Sequence, residues 1–174
     1  IPQGARDEAS LTAATAMAEE LLQGIADRVE LNSSYVALCD NPKELAEHKK
    51  NGKKVIMRGI ENGYAIGKNL SLVERFRSKG VVYMTLCHNG DNDICDSARG
   101  VGEHGGLSPF GKEVVKEMNR VGMLIDLSHA AESTFYDVLE YSMQPVVCSH
   151  SSCRALCDHP RNLTDEQLKA IAAK

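Results

Sequence analysis

The sequence predicts an α/β chain built on a parallel sheet. Three observations lead there. Four apolar runs, at 55–60, 81–86, 123–127 and 145–148, are each followed by a segment whose pattern reads as helix. Glycine or proline punctuates the junctions, as at Gly52, Gly80, Pro109, Gly122 and Pro145. Each run also leads to a residue that can bind a metal or move a proton, which fits strands whose carboxyl ends all open on one side.

Taken in order, residues 7–29 carry Leu11, Ala14, Met17, Ala18, Leu21, Leu22 and Ile25 at helical spacing. Tyr35 to Cys39 is a short apolar run. Asn41-Pro42 opens a second helix, with proline in its first turn, and Asn51-Gly52 closes it. Val55-Ile56-Met57 is a strand that runs on through Arg58-Gly59-Ile60 to Glu61. Ser71 to Lys79 is helical and stops at Gly80. Residues 81–86 are β-branched and aromatic, as a strand requires. The polar, glycine-rich stretch 89–107 breaks the rhythm, and a loop of that length is usually functional. Ser108-Pro109 caps and starts a helix that runs to Val121. A strand at 123–127, a helix at 132–143, a strand at 145–148 and a helix at 164–173 complete the pattern. Thr164 and Gln167 form a capping box for the last helix.

Such a sheet fits either a doubly wound fold or a (β/α)8 barrel. No GxGxxG or phosphate-loop motif follows any strand, so the nucleotide-binding version is disfavoured. The 174 residues suit one domain, and the 43% apolar and 25% charged content is that of an ordinary globular chain. A net charge of -4 gives no reason to expect nucleic acid or an anionic membrane as partner. No apolar run approaches the ~18 residues of a membrane span. The chain opens Ile-Pro-Gln-Gly, without Met and without a signal-peptide pattern, so an upstream segment is expected. None of the six cysteines pairs at a CxxC spacing. Buried free thiols are therefore expected, rather than disulfides or a thiolate zinc site.

The chemistry gathers at the strand ends. Glu61, His88, His129 and His150 each follow one of the four strands and would converge on one rim. His129 in Asp126-Leu127-Ser128-His129 and His150 in Cys148-Ser149-His150-Ser151 both sit among small hydroxyl residues. These residues can hold an imidazole's second nitrogen. His48, His104 and His159 are weaker candidates, lying in a charged helix, an irregular loop and a turn. Two histidines and a glutamate form a known catalytic zinc set that leaves one coordination position open. Zinc acidifies water, which suits hydrolysis of an amide.

Several stretches resemble the renal (membrane) dipeptidase family: Gly59-Ile60-Glu61-Asn62-Gly63, Tyr83-Met84-Thr85-Leu86-Cys87-His88, Gly106-Leu107-Ser108-Pro109-Phe110-Gly111, Val114 to Arg120, Asp126-Leu127-Ser128-His129, Ser149-His150-Ser151-Ser152 and His159-Pro160-Arg161-Asn162. The resemblance runs from about residue 55 to the end. It implies a (β/α)8 TIM barrel of the amidohydrolase superfamily and a zinc-dependent dipeptidase. Glu61 would bridge two zinc ions, with His129 and His150 completing one of them. His88 would be the catalytic and substrate-binding residue that stabilises the oxyanion, and Arg161 would clamp the substrate's terminal carboxylate. Asn162 would serve local structure.

Two departures from the family pattern shape the expectation. The His-x-Asp pair of the family's first strand occurs nowhere in the sequence, and nothing supplies the last strand's Asp. Residues 1–174 are therefore expected to form about half of a barrel, a partial catalytic domain without the first and last strands. An open half-barrel would leave two unpaired sheet edges and exposed apolar surface. Asn62 stands where the family usually has glycine. A catalytically inactive segment that binds a single zinc ion, and a hydrolase of another small amide, are the alternatives. A small dipeptide is the expected partner. Oligomeric state is open, with a homodimer among the options. So is location, whether cytoplasmic or exported.

Overall fold

The computed structural model describes residues 1–174 as six strands and six α-helices in mixed order. Helix α1 (Glu8–Leu31) is capped by Asp7, whose carboxylate accepts the Ser10 N–H. Strand β1 (Val36–Leu38) and helix α2 (Pro42–Lys50) follow, then β2 (Lys54–Ile56) and β3 (Arg58–Glu61). A 3-10 turn at Gly63–Ile66 precedes α3 (Ser71–Ser78) and β4 (Val81–Thr85). After the long loop come α4 (Pro109–Val121), β5 (Leu124–Asp126), α5 (Glu132–Tyr141), β6 (Val146–Val147) and α6 (Asp165–Ala173).

All strand pairs are parallel, as expected. β1 pairs with β2, and the second sheet runs β3-β4-β5-β6. Two details differ from the sequence reading. The strand expected to continue unbroken to Glu61 splits at Met57, with a register shift between Arg58 and Gly59, so its two halves serve different neighbours. The 3-10 turn was not foreseen. Its cap, Asn62, has φ 82° and accepts the Tyr64 N–H. That left-handed φ explains why glycine suits the position, and asparagine tolerates it better than most residues. The capping box of Thr164 and Gln167 is present. Of the cysteines expected to be buried, Cys39, Cys87 and Cys95 are, Cys148 and Cys153 are half-buried and Cys157 is exposed. The last lies between β6 and α6.

Register decides which residues share a face, because side chains alternate along each strand. Ile60, Met84, Ile125 and Val146 are mutual register partners, and all four join the hydrophobic core. Helices supply the other side of that core: Leu72, Val73 and Phe76 from α3, Val114, Val115 and Met118 from α4, Phe135 and Val138 from α5. The opposite face carries Gly59, Tyr83 and Leu124 in one layer, then Glu61, Thr85, Asp126 and Val147 in the next. A Cβ on Gly59 would meet the Tyr83 ring at 2.2 Å, so the ring occupies the space glycine leaves. On this second face Leu124 is partly exposed, whereas Thr85 and Asp126 are buried. β1 and β6 each pair on one side only. Helix α2 buries none of its residues.

Candidate metal centre

The polar layer Glu61–Thr85–Asp126–Val147 marks the carboxyl ends of the strands. His88, His129 and His150 each stand three residues beyond their strand's member of that layer, at 85, 126 and 147. Parallel strands in register therefore deliver all three imidazoles to the same height. They meet at one oxygen. Glu61 Oε1 lies 3.0 Å from His129 Nε2, 3.1 Å from His150 Nε2 and 3.7 Å from His88 Nε2. The His88 and His129 rings stack at 4.3 Å between centroids, and His150 meets His129 edge-on at 5.1 Å. Ligand atoms of Glu61, His129 and His150 all fall within 4.8 Å of one another, a spacing that one cation can span.

Electrostatics suit a cation there. Burial, with the charges of Arg161 and His88, lowers the His129 pKa to about 4 against the opposing pull of Glu61, so this imidazole is neutral at pH 7. Burial pushes the Glu61 pKa up, but His150, His88 and His129 together hold it below the usual value. A carboxylate and neutral imidazoles are the forms that bind metal. The donor set thus fits a divalent ion with mixed N/O ligands.

Two supports fix the histidines. Asp126 is fully buried and accepts four hydrogen bonds: from Ser128 N (3.0 Å), Ser149 N (2.9 Å), Thr85 Oγ (2.7 Å) and Ser149 Oγ (2.6 Å). Burial raises its pKa, yet these donors hold it below the usual carboxylate value. The Ser128 hydroxyl accepts the His150 N–H at 3.0 Å, tying the two histidine segments together. The second support is the 89–107 loop. His129 has φ 72°, a conformation uncommon outside glycine, and its carbonyl accepts the Ala98 N–H at 2.7 Å. The Ser97 hydroxyl lies between the carbonyls of His88 and His129. Asp91 holds this loop in shape by accepting the N–H groups of Ser97, Val101, Gly102 and Glu103.

The sequence profile of the membrane dipeptidase family (peptidase family M19) matches residues 1–174. The chain belongs to this family. Dipeptidase tcpJ of Claviceps purpurea is 38% identical over 153 residues, which is 87% of this chain and 35% of that protein. Dipeptidase verJ of Clonostachys rogersoniana is 38% identical over 146 residues, 83% of this chain and 38% of that one. Among solved structures, the probable dipeptidase PvdM of Pseudomonas aeruginosa superposes with a TM-score of 0.91 at 29% identity, covering 96% of this chain and 44% of PvdM. A metallopeptidase of Rhodobacter sphaeroides, liganded with a phosphinate mimic of the dipeptide L-Ala-D-Ala, gives 0.83 at 28% identity, covering 99% and 50%. The chain thus spans about a third of these curated relatives and about half of the solved structures. Its fold is an α/β arc of parallel strands matching about half of the TIM-barrel-like M19 structures.

In this M19 chain the structure brings together the five residues that the sequence singled out. Arg161 reaches the cluster through Nη2, 3.4 Å from the His150 carbonyl, and its buried Nε has no partner. His48, His104 and His159 stay apart from the Glu61–His129–His150 cluster, and Asn162 braces its turn by accepting the Ser152 N–H. The sequence reading missed Thr85 and the loop acids Asp91 and Asp96. Asp96 accepts the N–H groups of His104 and Gly106. An available signal was three aspartates, at 91, 93 and 96, inside a glycine-rich stretch, where a carboxylate can gather backbone N–H groups. No helix of the chain is long and apolar enough to cross a membrane.

Proposed function

We propose that this chain carries part of the active site of a zinc-dependent dipeptidase, with Glu61, His129 and His150 as ligands of one zinc ion. The observation that carries the reading is the meeting of their three ligand atoms within 4.8 Å. M19 membership and dipeptidase relatives support the reaction. Zinc would supply Lewis acidity, lowering the pKa of water and polarising a carbonyl. The chain's own residues have distinct parts. Glu61 would provide the negative charge that holds a cation. His88, 3.7 Å from Glu61 on the cluster's edge, is free to donate to a substrate carbonyl oxygen as charge develops there. Arg161, with an unpartnered Nε, selects a substrate bearing a free carboxylate. Residues 1–174 act as a partial (β/α)8 catalytic domain.

A second reading, a segment that binds one zinc without turnover, rests on the same cluster, since Glu61, His129 and His150 suffice to hold one ion. Zinc content by mass spectrometry and hydrolysis of a dipeptide panel separate the two. Both are measured on this chain and on a longer protein containing it. Zinc in both, with turnover confined to the longer protein, fits the proposal that the segment holds part of the site. Turnover by the chain itself shows that its residues suffice. Absence of zinc from both sinks the ligand assignment. In the active protein, Arg161→Ala is expected to raise KM for dipeptides at least about tenfold with zinc retained. Steady-state kinetics with and without a free substrate carboxylate checks that role.

A further inference from the structure

Asp126 takes four donors, and they saturate it: two N–H groups on Oδ1 and two hydroxyls on Oδ2. The N–H groups can only donate. Each hydroxyl owns one hydrogen, and a carboxylate with no proton to give must receive it. At 2.6 Å from Asp126 Oδ2, the Ser149 hydroxyl has its hydrogen committed. The same oxygen lies 2.8 Å from His150 Nδ1. Having no second hydrogen, it can only accept there, so Nδ1 must carry a proton, while Nε2 faces the acceptor-only Glu61 carboxylate at 3.1 Å, where either a second proton or a cation fits. The Asp126 carboxylate itself stands 3.9 Å from Nδ1, too far for a direct bond, so the hydroxyl is the intermediary. His129 has no equivalent support, for its Nδ1 is buried without a partner.

We propose that Ser149 is a positioning residue: held by Asp126, it keeps a proton on His150 Nδ1, which leaves Nε2, facing Glu61, as the nitrogen a metal would take. This rests on the reading of Glu61, His129 and His150 as metal ligands. The consequence for affinity follows from the general behaviour of such partners. Removing the group that orients a ligating imidazole weakens metal binding by roughly 10–100-fold.

Thr85 supplies an internal control. Its hydroxyl bonds the same Asp126 oxygen at 2.7 Å, but no bond joins it to His150. Thr85→Val and Ser149→Ala therefore remove the same kind of bond from one carboxylate, and only Ser149→Ala also frees the imidazole. Zinc dissociation constants would be measured by chelator competition for the unaltered chain, Ser149→Ala, Ser149→Thr and Thr85→Val. Ser149→Ala is expected to weaken zinc about 10–100-fold. Ser149→Thr, which keeps the hydroxyl, and Thr85→Val should stay within about threefold. Equal weakening in Thr85→Val and Ser149→Ala overturns the proposal, since the effect would then be Asp126's general upkeep of the rim. A metal-independent reading comes from long-range 1H–15N correlation of His150 in the metal-free chain at about pH 8.5, above the ordinary imidazole range. A proton on Nδ1, with or without one on Nε2 beside Glu61, is expected, and it should be lost in Ser149→Ala. A bare Nδ1 in the unaltered chain overturns the proposal whatever zinc does. Failure to bind zinc with the Nδ1 proton present overturns the ligand reading and leaves the Nδ1 assignment standing.

Discussion

On one face of the β3–β6 sheet, Ile60, Met84, Ile125 and Val146 lie under helices and are at most 8% exposed. On the other face the same strands present Gly59, Tyr83 and Leu124, then Glu61, Thr85 and Asp126. Strand alternation alone separates the two sets. The covered face gains free energy by removing apolar area from water, and it tolerates no charge. The open face gains little from apolar burial, and its buried polar members, Thr85 and Asp126, are bonded to each other and to the rim, so that face can gather polar groups. Stability and chemistry are thus assigned to alternate residues of the same strands.

That division can be broken by experiment. The largest effect is expected from Glu61→Gln, which removes the one negative charge shared by the imidazoles. Zinc binding should weaken by more than about 100-fold, while the urea midpoint of the metal-free chain moves by the equivalent of less than about 1 kcal/mol. A large loss of stability would mean that the open face also holds the fold. Next comes Met84→Ala on the covered face, expected to cost about 2–5 kcal/mol. Its folded fraction should retain the normal zinc stoichiometry, and loss of zinc from folded protein would show the faces to be coupled.

A smaller effect is expected from pH. The folded His129 pKa is about 4, while its ordinary value is 6.5. Between those values the unfolded chain binds the proton and the folded chain does not, so stability falls as the pH drops from 6.5 toward 4. Urea midpoints of the metal-free chain should decline through that window, and less steeply in His129→Gln. Equal slopes would remove His129 as the cause. The smallest effect belongs to Leu124→Ala. This residue sits on the open face and is partly exposed, and its loss should change stability by no more than about 0.5–1 kcal/mol. A cost matching that of Met84→Ala would mean that apolar packing operates on both faces.

Much of this arrangement was legible in the sequence, and for identifiable reasons. Helix α4 shows Ser108, Pro109 and Gly122 at its two ends because cap and turn chemistry is local. Glu61, His88, His129 and His150 stood out because each follows an apolar run closely. The break at Met57 and the shortened strands did not, since both depend on what a neighbouring strand offers for pairing. The role of the 89–107 loop was visible only as an irregularity. Its backbone amides are collected by Asp91 and Asp96, and that folding back cannot be inferred from the order of polar residues.

By itself the sequence determined most of the element order, the parallel connectivity and the candidates Glu61, His88, His129 and His150, because periodicity, caps and residue chemistry act over a few positions along the chain. Only the tertiary structure decided that three imidazoles meet one carboxylate oxygen, that Thr85 and Ser149 share Asp126, and that His129 is held at a left-handed φ. Those facts depend on strand register and on loops returning across the rim, and register is a relation between segments far apart in the chain.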